Sequence, residues 1–234
     1  MKNKQFLVFS EYTDPCHHTD LVEERIEEHA GPLYFITKDP RPLANTILEE
    51  KERSIVHVTI TGLGGTILEP NAPKPKEIFK TTCNLADALG DQFVLRVDPI
   101  IFGANHSRCI KIIQQYARHV KRFKISYCSL YPFVRTRLSA LGIHLPNSGF
   151  TFPASWIKAH STKLATEARK LDVHIEYCAP LSTISTSIDP RIQRTGCASL
   201  SEYSRLGFPP VERNRKQRGH CLCAAKTEGL PEFK

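Results

Sequence analysis

Polar and charged side chains occur in this sequence at the points where several apolar runs end. Arg96 lies near the end of the run Phe93–Val97, and Asp98 follows it directly. Thr61 ends a β-branched run that begins at Ile55. An arginine at the end of a buried strand needs an anionic partner, either a carboxylate of the chain or the carboxylate or phosphate of a ligand. We therefore predict a binding site for an anionic small molecule at these ends, with the candidate residues Lys38, Thr61, Gly62, Gly64, Glu69, Arg96 and Asp98.

The dipeptide Asp-Pro recurs near the ends of three apolar runs, as Asp14-Pro15, Asp39-Pro40 and Asp98-Pro99. One interpretation is structural, because Asp often caps a helix that a proline begins. The other interpretation is functional, because carboxylates on one rim beside basic side chains would form the mouth of a binding site. Each pair alone is compatible with both interpretations, and their common position favours the binding mouth.

A glycine-rich loop, Gly62-Leu63-Gly64-Gly65, follows the run that ends at Thr61. The loop lacks the Lys-Ser/Thr of a P-loop, and Ile67 stands where a dinucleotide-binding motif has its third glycine. Glycines at this point would let a ligand approach the backbone closely. A tight structural turn explains them more simply, and we favour that explanation.

Three cysteines near the end of the chain are candidate metal ligands. Cys221 and Cys223 form a C-x-C pair next to His220, and Cys197 precedes them. Such a pair can chelate a soft metal ion, and zinc is one candidate. The spacing differs from the C-x2-C of common zinc ribbons, so the alternative is a set of reduced thiols that hold no metal.

These residues require a scaffold that brings several strand ends to one rim. Between Ser54 and Phe102 the sequence passes from a β-branched run through the glycine loop to a helical segment and a second apolar run. The helical segment extends from about Lys76 to Leu89. Strand, loop, helix and strand in this order form a βαβ unit, which implies parallel strands with functional residues at their carboxyl ends.

The same alternation continues along the chain and predicts an α/β fold, with its longest helix from Ala154 to Leu171. A complete eight-fold barrel usually needs about 250 residues. We therefore predict a partial, parallel (β/α)6 barrel over residues 1–188, followed by an irregular, basic, cysteine-containing tail over residues 189–234. The six strands are expected near residues 5–9, 33–36, 55–61, 93–97, 123–128 and 173–177.

The composition limits the class of protein. Of the 234 residues 41% are hydrophobic, and the net charge is +8 with a pI near 9.1. No run approaches the ~20 apolar residues of a membrane helix, and no signal-peptide core is evident. We expect a soluble, cytoplasmic protein without a membrane partner. The positive charge suits an anionic ligand, and the basic residues before Cys221 make nucleic acid an alternative partner.

The ordered motifs of the chain resemble the domain-of-unknown-function 1848 family, which is related to the radical S-adenosylmethionine enzymes. The central block, Thr59–Gly64 with Glu69–Pro73, is the most specific part, whereas Tyr12 stands where the family usually has an arginine. The remaining parts of the resemblance are Ser10 with Thr13–Pro15, Thr37–Leu43, Arg96–Phe102, Ser126–Arg137 and Gln217–Cys223.

This resemblance implies a radical-enzyme-like barrel with a late cysteine motif, and an iron–sulfur cluster and S-adenosylmethionine as cofactors. Family members continue past the C-x-C pair into a C-x3-C-x2-C segment, whereas this sequence ends at Lys234. We therefore expect a truncated or inactive form that does not cleave S-adenosylmethionine by itself. The alternative is a non-enzymatic barrel, stabilised by zinc, that binds a nucleotide or nucleic acid through its basic tail.

Overall fold

The computed structural model describes residues 7–9, 14–147, 149–178 and 192–195. Within these ranges seven parallel strands form one sheet, and their order in space follows their order in the chain. The strands are β1 (Leu7–Phe9), β2 (Leu33–Thr37), β3 (Ser54–Thr59), β4 (Phe93–Ile100), β5 (Arg122–Tyr127), β6 (His174–Cys178) and β7 (Ile192–Thr195).

Helices connect the successive strands from β1 to β6, as parallel pairing requires. A proline occupies the first turn of both α3 and α5, where the missing N–H has no helical partner to lose. None of the helices in the described part of the chain is both long and apolar enough to cross a membrane. The α-helices are α1 (Thr19–Glu28), α2 (Ala44–Glu49), α3 (Pro75–Leu89), α4 (His106–Tyr116), α5 (Pro132–Ala140) and α6 (Ala154–Leu171).

The sheet buries an apolar face against the helices. Successive residues of a strand point to opposite faces, so every second residue contributes to this side. Phe35, Val58, Leu95 and Ile125 are fully buried there in one core with apolar residues of the helices. The strands form apolar runs in the sequence because the other face is buried as well: Ile55, on the opposite side from Val58, is also fully buried.

Polar side chains occupy the opposite side of the sheet, which we call the polar face. Its charged or titratable members include His57, Arg96, Lys124 and Glu176, one from each of β3 to β6, and all four are buried. The strand register places Arg96 beside Lys124, and Lys124 beside Glu176. The second face of the sheet is therefore a mixed interior, in which these side chains lie among buried apolar ones such as Val94, the register partner of His57.

The predicted parallel α/β arrangement is confirmed, since β3 and β4 pair in parallel and all six expected strands are present. The sheet also extends one strand further than expected, because β7 hydrogen-bonds to β6 within the segment predicted to be an irregular tail. Within the described ranges β1 and β7 do not pair with each other, so the sheet is open.

Candidate binding site at the strand ends

A small cleft with about 200 Å³ of empty space opens at the carboxyl end of β3. That figure includes space open to solvent, and the part that can hold the centre of a water molecule is only about 10 Å³, so the cleft as it stands has room for roughly one water-sized polar group. The residues that line it are Lys38, Thr59, Ile60, Thr61, Gly62, Gly64, Glu69, Ala72, Pro73, Pro75 and Ile78.

Two opposite charges face each other in the cleft. Lys38 Nζ lies 2.7 Å from Glu69 Oε1, and the Thr61 hydroxyl donates a hydrogen bond to the other oxygen of the same carboxylate. The Lys38 side chain is 42% exposed and that of Glu69 is 13% exposed. A ligand can therefore reach the ammonium group directly, whereas the carboxylate is held in a fixed orientation beneath it.

Asp14 holds the backbone that carries Lys38. Its carboxylate accepts hydrogen bonds from the Thr37 hydroxyl at 2.5 Å and from the Lys38 backbone N–H at 2.6 Å. It also accepts a hydrogen bond from the backbone N–H of Cys16 at 3.2 Å, and thereby caps the short helical turn Pro15–His17. The structural interpretation of this Asp-Pro pair is therefore confirmed, because the carboxylate caps the turn, whereas the binding mouth stays a prediction.

Asn105 joins the parts of the chain that surround the cleft. Its side-chain amide donates to the carbonyl oxygens of Thr61 and Pro99, both at 3.0 Å, and its carbonyl oxygen accepts from the Ile101 backbone N–H at 2.7 Å. The residue is fully buried. Its side chain thus connects the ends of β3 and β4.

The glycine loop approaches its own chain closely. A Cβ atom added to Gly64 would lie 1.9 Å from the carbonyl oxygen of Pro73, far inside a normal contact. Gly62 has a φ of 75°, and its carbonyl oxygen accepts a hydrogen bond of 2.6 Å from the Arg108 guanidinium. These contacts support the structural explanation for the glycines, since the loop packs against other protein atoms.

We expect Gly64→Ala to lower the free energy of unfolding by about 2 kcal/mol, because the new methyl group displaces backbone atoms of the loop. Urea denaturation measures this change. Gly90→Ala is the control, since no atom lies within 4 Å of its added Cβ and only its φ of 53° opposes the substitution. A smaller loss for Gly64→Ala than for Gly90→Ala would contradict the packing argument.

Arg96 and Asp98 lie beside the cleft but are not among the residues that line it. The Arg96 guanidinium forms an ion pair with Asp98, and the Ser126 hydroxyl donates to the same carboxylate. The Arg96 side chain is only 4% exposed. Its backbone nevertheless supports the cleft, because its carbonyl oxygen accepts the Ile60 backbone N–H at 2.8 Å.

Further along the polar face, Glu176 contacts two cations. One carboxylate oxygen lies 2.8 Å from the Arg122 guanidinium, and the other lies 3.1 Å from Lys124 Nζ. Burial alone would raise the pKa of the Glu176 carboxyl, but the attraction of Lys124 and Arg122 outweighs it and lowers the pKa to about 2. Glu176 is therefore ionised throughout the neutral pH range.

His57 lies on the polar face in β3, with its Nδ1 atom 3.0 Å from the Tyr34 hydroxyl. Complete burial lowers the pKa of the imidazole well below its ordinary value, and the nearby cations Lys124, Arg96 and Arg122 lower it further. His57 is thus neutral at physiological pH. It therefore adds no positive charge to the polar face.

The structure brings most of the predicted residues together. Lys38, Thr61, Gly62, Gly64 and Glu69 surround one cleft, while Arg96 and Asp98 form the adjacent ion pair. Whether this set binds a ligand stays a prediction. Sequence reasoning missed four residues of the site and the polar face, although each is a lone polar residue between apolar strand neighbours or at a helix start: His57, Asn105, Lys124 and Glu176.

The predicted metal ligands Cys197, Cys221 and Cys223 lie outside the described residues. Among the residues that are described, no group of three or more His, Cys, Asp or Glu side chains is arranged to hold a metal ion. Burial raises the pKa of the Cys109 thiol to about 12 and that of the Cys128 thiol to about 11. These two thiols are therefore protonated at neutral pH and are poor metal ligands.

Comparison with known proteins gives one match. A family model described as a domain of unknown function (DUF1848) matches residues 6–228. No curated protein and no solved structure matches the chain. The matched range contains the whole described sheet, the cleft and the polar face, so these features form parts of one family unit.

Proposed function

The chain belongs to the DUF1848 family, and from the cleft we propose that it binds a small molecule with an α-amino acid head group. S-adenosylmethionine is the ligand that the resemblance to radical enzymes implies. The head group would occupy the cleft at the end of β3, and the rest of the ligand would extend over the rim of strand ends. This location agrees with the general position of ligand sites in parallel α/β sheets.

The ion pair between Lys38 and Glu69 is the observation that carries this proposal. An α-amino acid head group presents one carboxylate and one ammonium group, which are complementary to the Lys38 ammonium and the Glu69 carboxylate. Lys38 is accessible, Thr61 fixes the Glu69 carboxylate, and Asp14 holds the backbone of Lys38. Binding would thus replace one internal ion pair by two pairs with the ligand.

An iron–sulfur cluster does not fit the residues that the structure describes. Such clusters need several thiolates at one point, whereas Cys83 and Cys109 are buried in α3 and α4, and burial raises the pKa of each thiol. The binding proposed for the cleft therefore involves no cluster. A radical reaction is proposed through the resemblance alone. The alternative, based on the cysteines and the basic residues of the sequence, is a zinc-ordered tail that binds a nucleotide or nucleic acid.

Isothermal titration calorimetry with S-adenosylmethionine tests the proposal. We expect both Lys38→Ala and Glu69→Gln to weaken binding by about tenfold or more, because each removes a charge-assisted contact worth roughly 1.5–3 kcal/mol. Arg41→Ala is the matched control, since Arg41 forms an exposed ion pair with Asp39 in the same loop at 2.7 Å. The Arg41→Ala variant should bind S-adenosylmethionine as tightly as the wild type does.

A second ligand separates the head group from the rest of the molecule. 5′-Methylthioadenosine lacks the amino acid part, so its affinity should not change in Lys38→Ala or Glu69→Gln. Unchanged binding of S-adenosylmethionine in both variants, or no binding to the wild type, would contradict the proposed function.

A further inference from the structure

Three exposed aromatic residues lie together beyond the carboxyl end of β5. Tyr131 is 51% exposed, and Phe133 and Phe150 are each 66% exposed. The ring of Tyr131 is parallel to that of Phe133, with centroids 6.2 Å apart, and lies 6.1 Å from that of Phe150. We call these three residues the aromatic platform. Large rings exposed in one group indicate an interaction surface.

Backbone contacts hold the platform in place. The backbone N–H of Leu130 donates to the carbonyl oxygen of Phe150 at 2.7 Å, which fixes the loop before α6 against the end of β5. The Arg135 guanidinium of α5 donates to the carbonyl oxygen of Pro146 at 2.6 Å and to that of Gly149. The three rings therefore project from an ordered base and do not need to be arranged by a partner.

The stretch of sequence that contains the platform carries charge of one sign. Between Asp98 and Glu167 the sequence contains no acidic residue, but it contains ten lysines and arginines. Within α5, Phe133 and the exposed Arg137 are four residues apart, so they share one side of the helix. The platform thus combines exposed aromatic rings with positive charge and with no neighbouring carboxylate in this part of the sequence.

We propose that the aromatic platform binds single-stranded nucleic acid. Unpaired bases stack on aromatic rings, and phosphates pair with lysine and arginine side chains, so both chemical features of the surface are used. The platform consists of planar rings and contains no aliphatic side chain, so it suits bases better than lipid chains. This partner is independent of the ligand proposed for the cleft, and it uses residues of β5 to α6 rather than the basic tail.

Fluorescence anisotropy with a labelled single-stranded oligonucleotide of about twelve nucleotides tests the proposal. Phe133→Ala and Phe150→Ala should each weaken binding by about tenfold, since stacking on one ring is lost. Ile67→Ala is the matched control, because Ile67 is a 76% exposed apolar residue outside the platform. It should bind as tightly as the wild type, and circular dichroism should show that all variants are folded.

The salt dependence of binding tests the electrostatic part. Removing one phosphate contact with Arg137→Ala should reduce the slope of log K against log salt by about 0.7, whereas Lys80→Ala, on the exposed side of α3, should leave the slope unchanged. The proposal would be overturned by equal affinity for a duplex of the same length, by binding to phosphatidylserine vesicles in place of the oligonucleotide, or by equal losses in the platform variants and Ile67→Ala.

Discussion

Glu176→Gln should lower the free energy of unfolding by about 3–5 kcal/mol, the range observed when one partner of a buried ion pair is removed. The substitution keeps the size of the side chain but removes its charge and replaces one of its two acceptor oxygens by an NH2 donor, which cannot accept from a cation. Lys124 is fully buried and Arg122 nearly so, and both would lose the carboxylate that they contact at 3.1 and 2.8 Å. Urea or thermal denaturation at neutral pH measures the loss.

The pH dependence of stability identifies the charge as the cause. The folded pKa of Glu176 is about 2, below its ordinary value of 4.5, so its ionisation stabilises the fold above pH 4.5. This contribution decreases as the pH falls from 4.5 towards 2. The difference between wild type and Glu176→Gln should therefore shrink over that window. Glu28→Gln, in an exposed pair with Arg25, is the control and should change stability little.

Asn105→Ala should lower the free energy of unfolding by about 3 kcal/mol, because three backbone groups lose their hydrogen-bond partner at a fully buried position. Those groups are the carbonyl oxygens of Thr61 and Pro99 and the N–H of Ile101. The same change should weaken ligand binding in the cleft, since Thr61 would no longer be tied to the end of β4.

Asn84→Ala is the matched control for this prediction, because Asn84 is exposed on α3. Asn105→Asp refines the test, since it keeps an acceptor for the Ile101 N–H but loses the donor to both carbonyl oxygens. We expect it to lose most of the stability that the alanine variant loses. Denaturation midpoints for Asn105→Ala and Asn84→Ala that agree within error would show that Asn105 does not join the strand ends.

The fold was predictable where burial of one or both faces leaves a long apolar signal. The strands from β2 to β6 and the helix Ala154–Leu171 were all expected within a few residues of their observed bounds. β7 was not expected, because Ile192-Gln193-Arg194-Thr195 contains a single apolar residue and shows no alternation. Its pairing with β6 is a tertiary contact that the local composition does not predict.

The residues of the candidate site were predictable where they follow the ends of strands. Lys38 and Glu69 are 31 residues apart in the chain and were grouped because parallel strands end on one rim. The ion pairs of the polar face escaped prediction for the opposite reason, since Lys124 and Glu176 lie inside strands that were treated as apolar runs. A single charge with apolar neighbours on both sides, as in Phe123-Lys124-Ile125, was the available signal.

The order of the strands also bears on how the protein is made. Each strand hydrogen-bonds to the strand that precedes it in the chain, from β1 and β2 to β6 and β7. A ribosome therefore releases every new strand after its partner has already emerged, and the sheet can grow at one edge during translation. In a sheet with a reversal of strand order, the edge of an early strand would stay unpaired until a partner strand much later in the chain is synthesised. Sequential pairing shortens the time for which such an edge is exposed to other nascent chains.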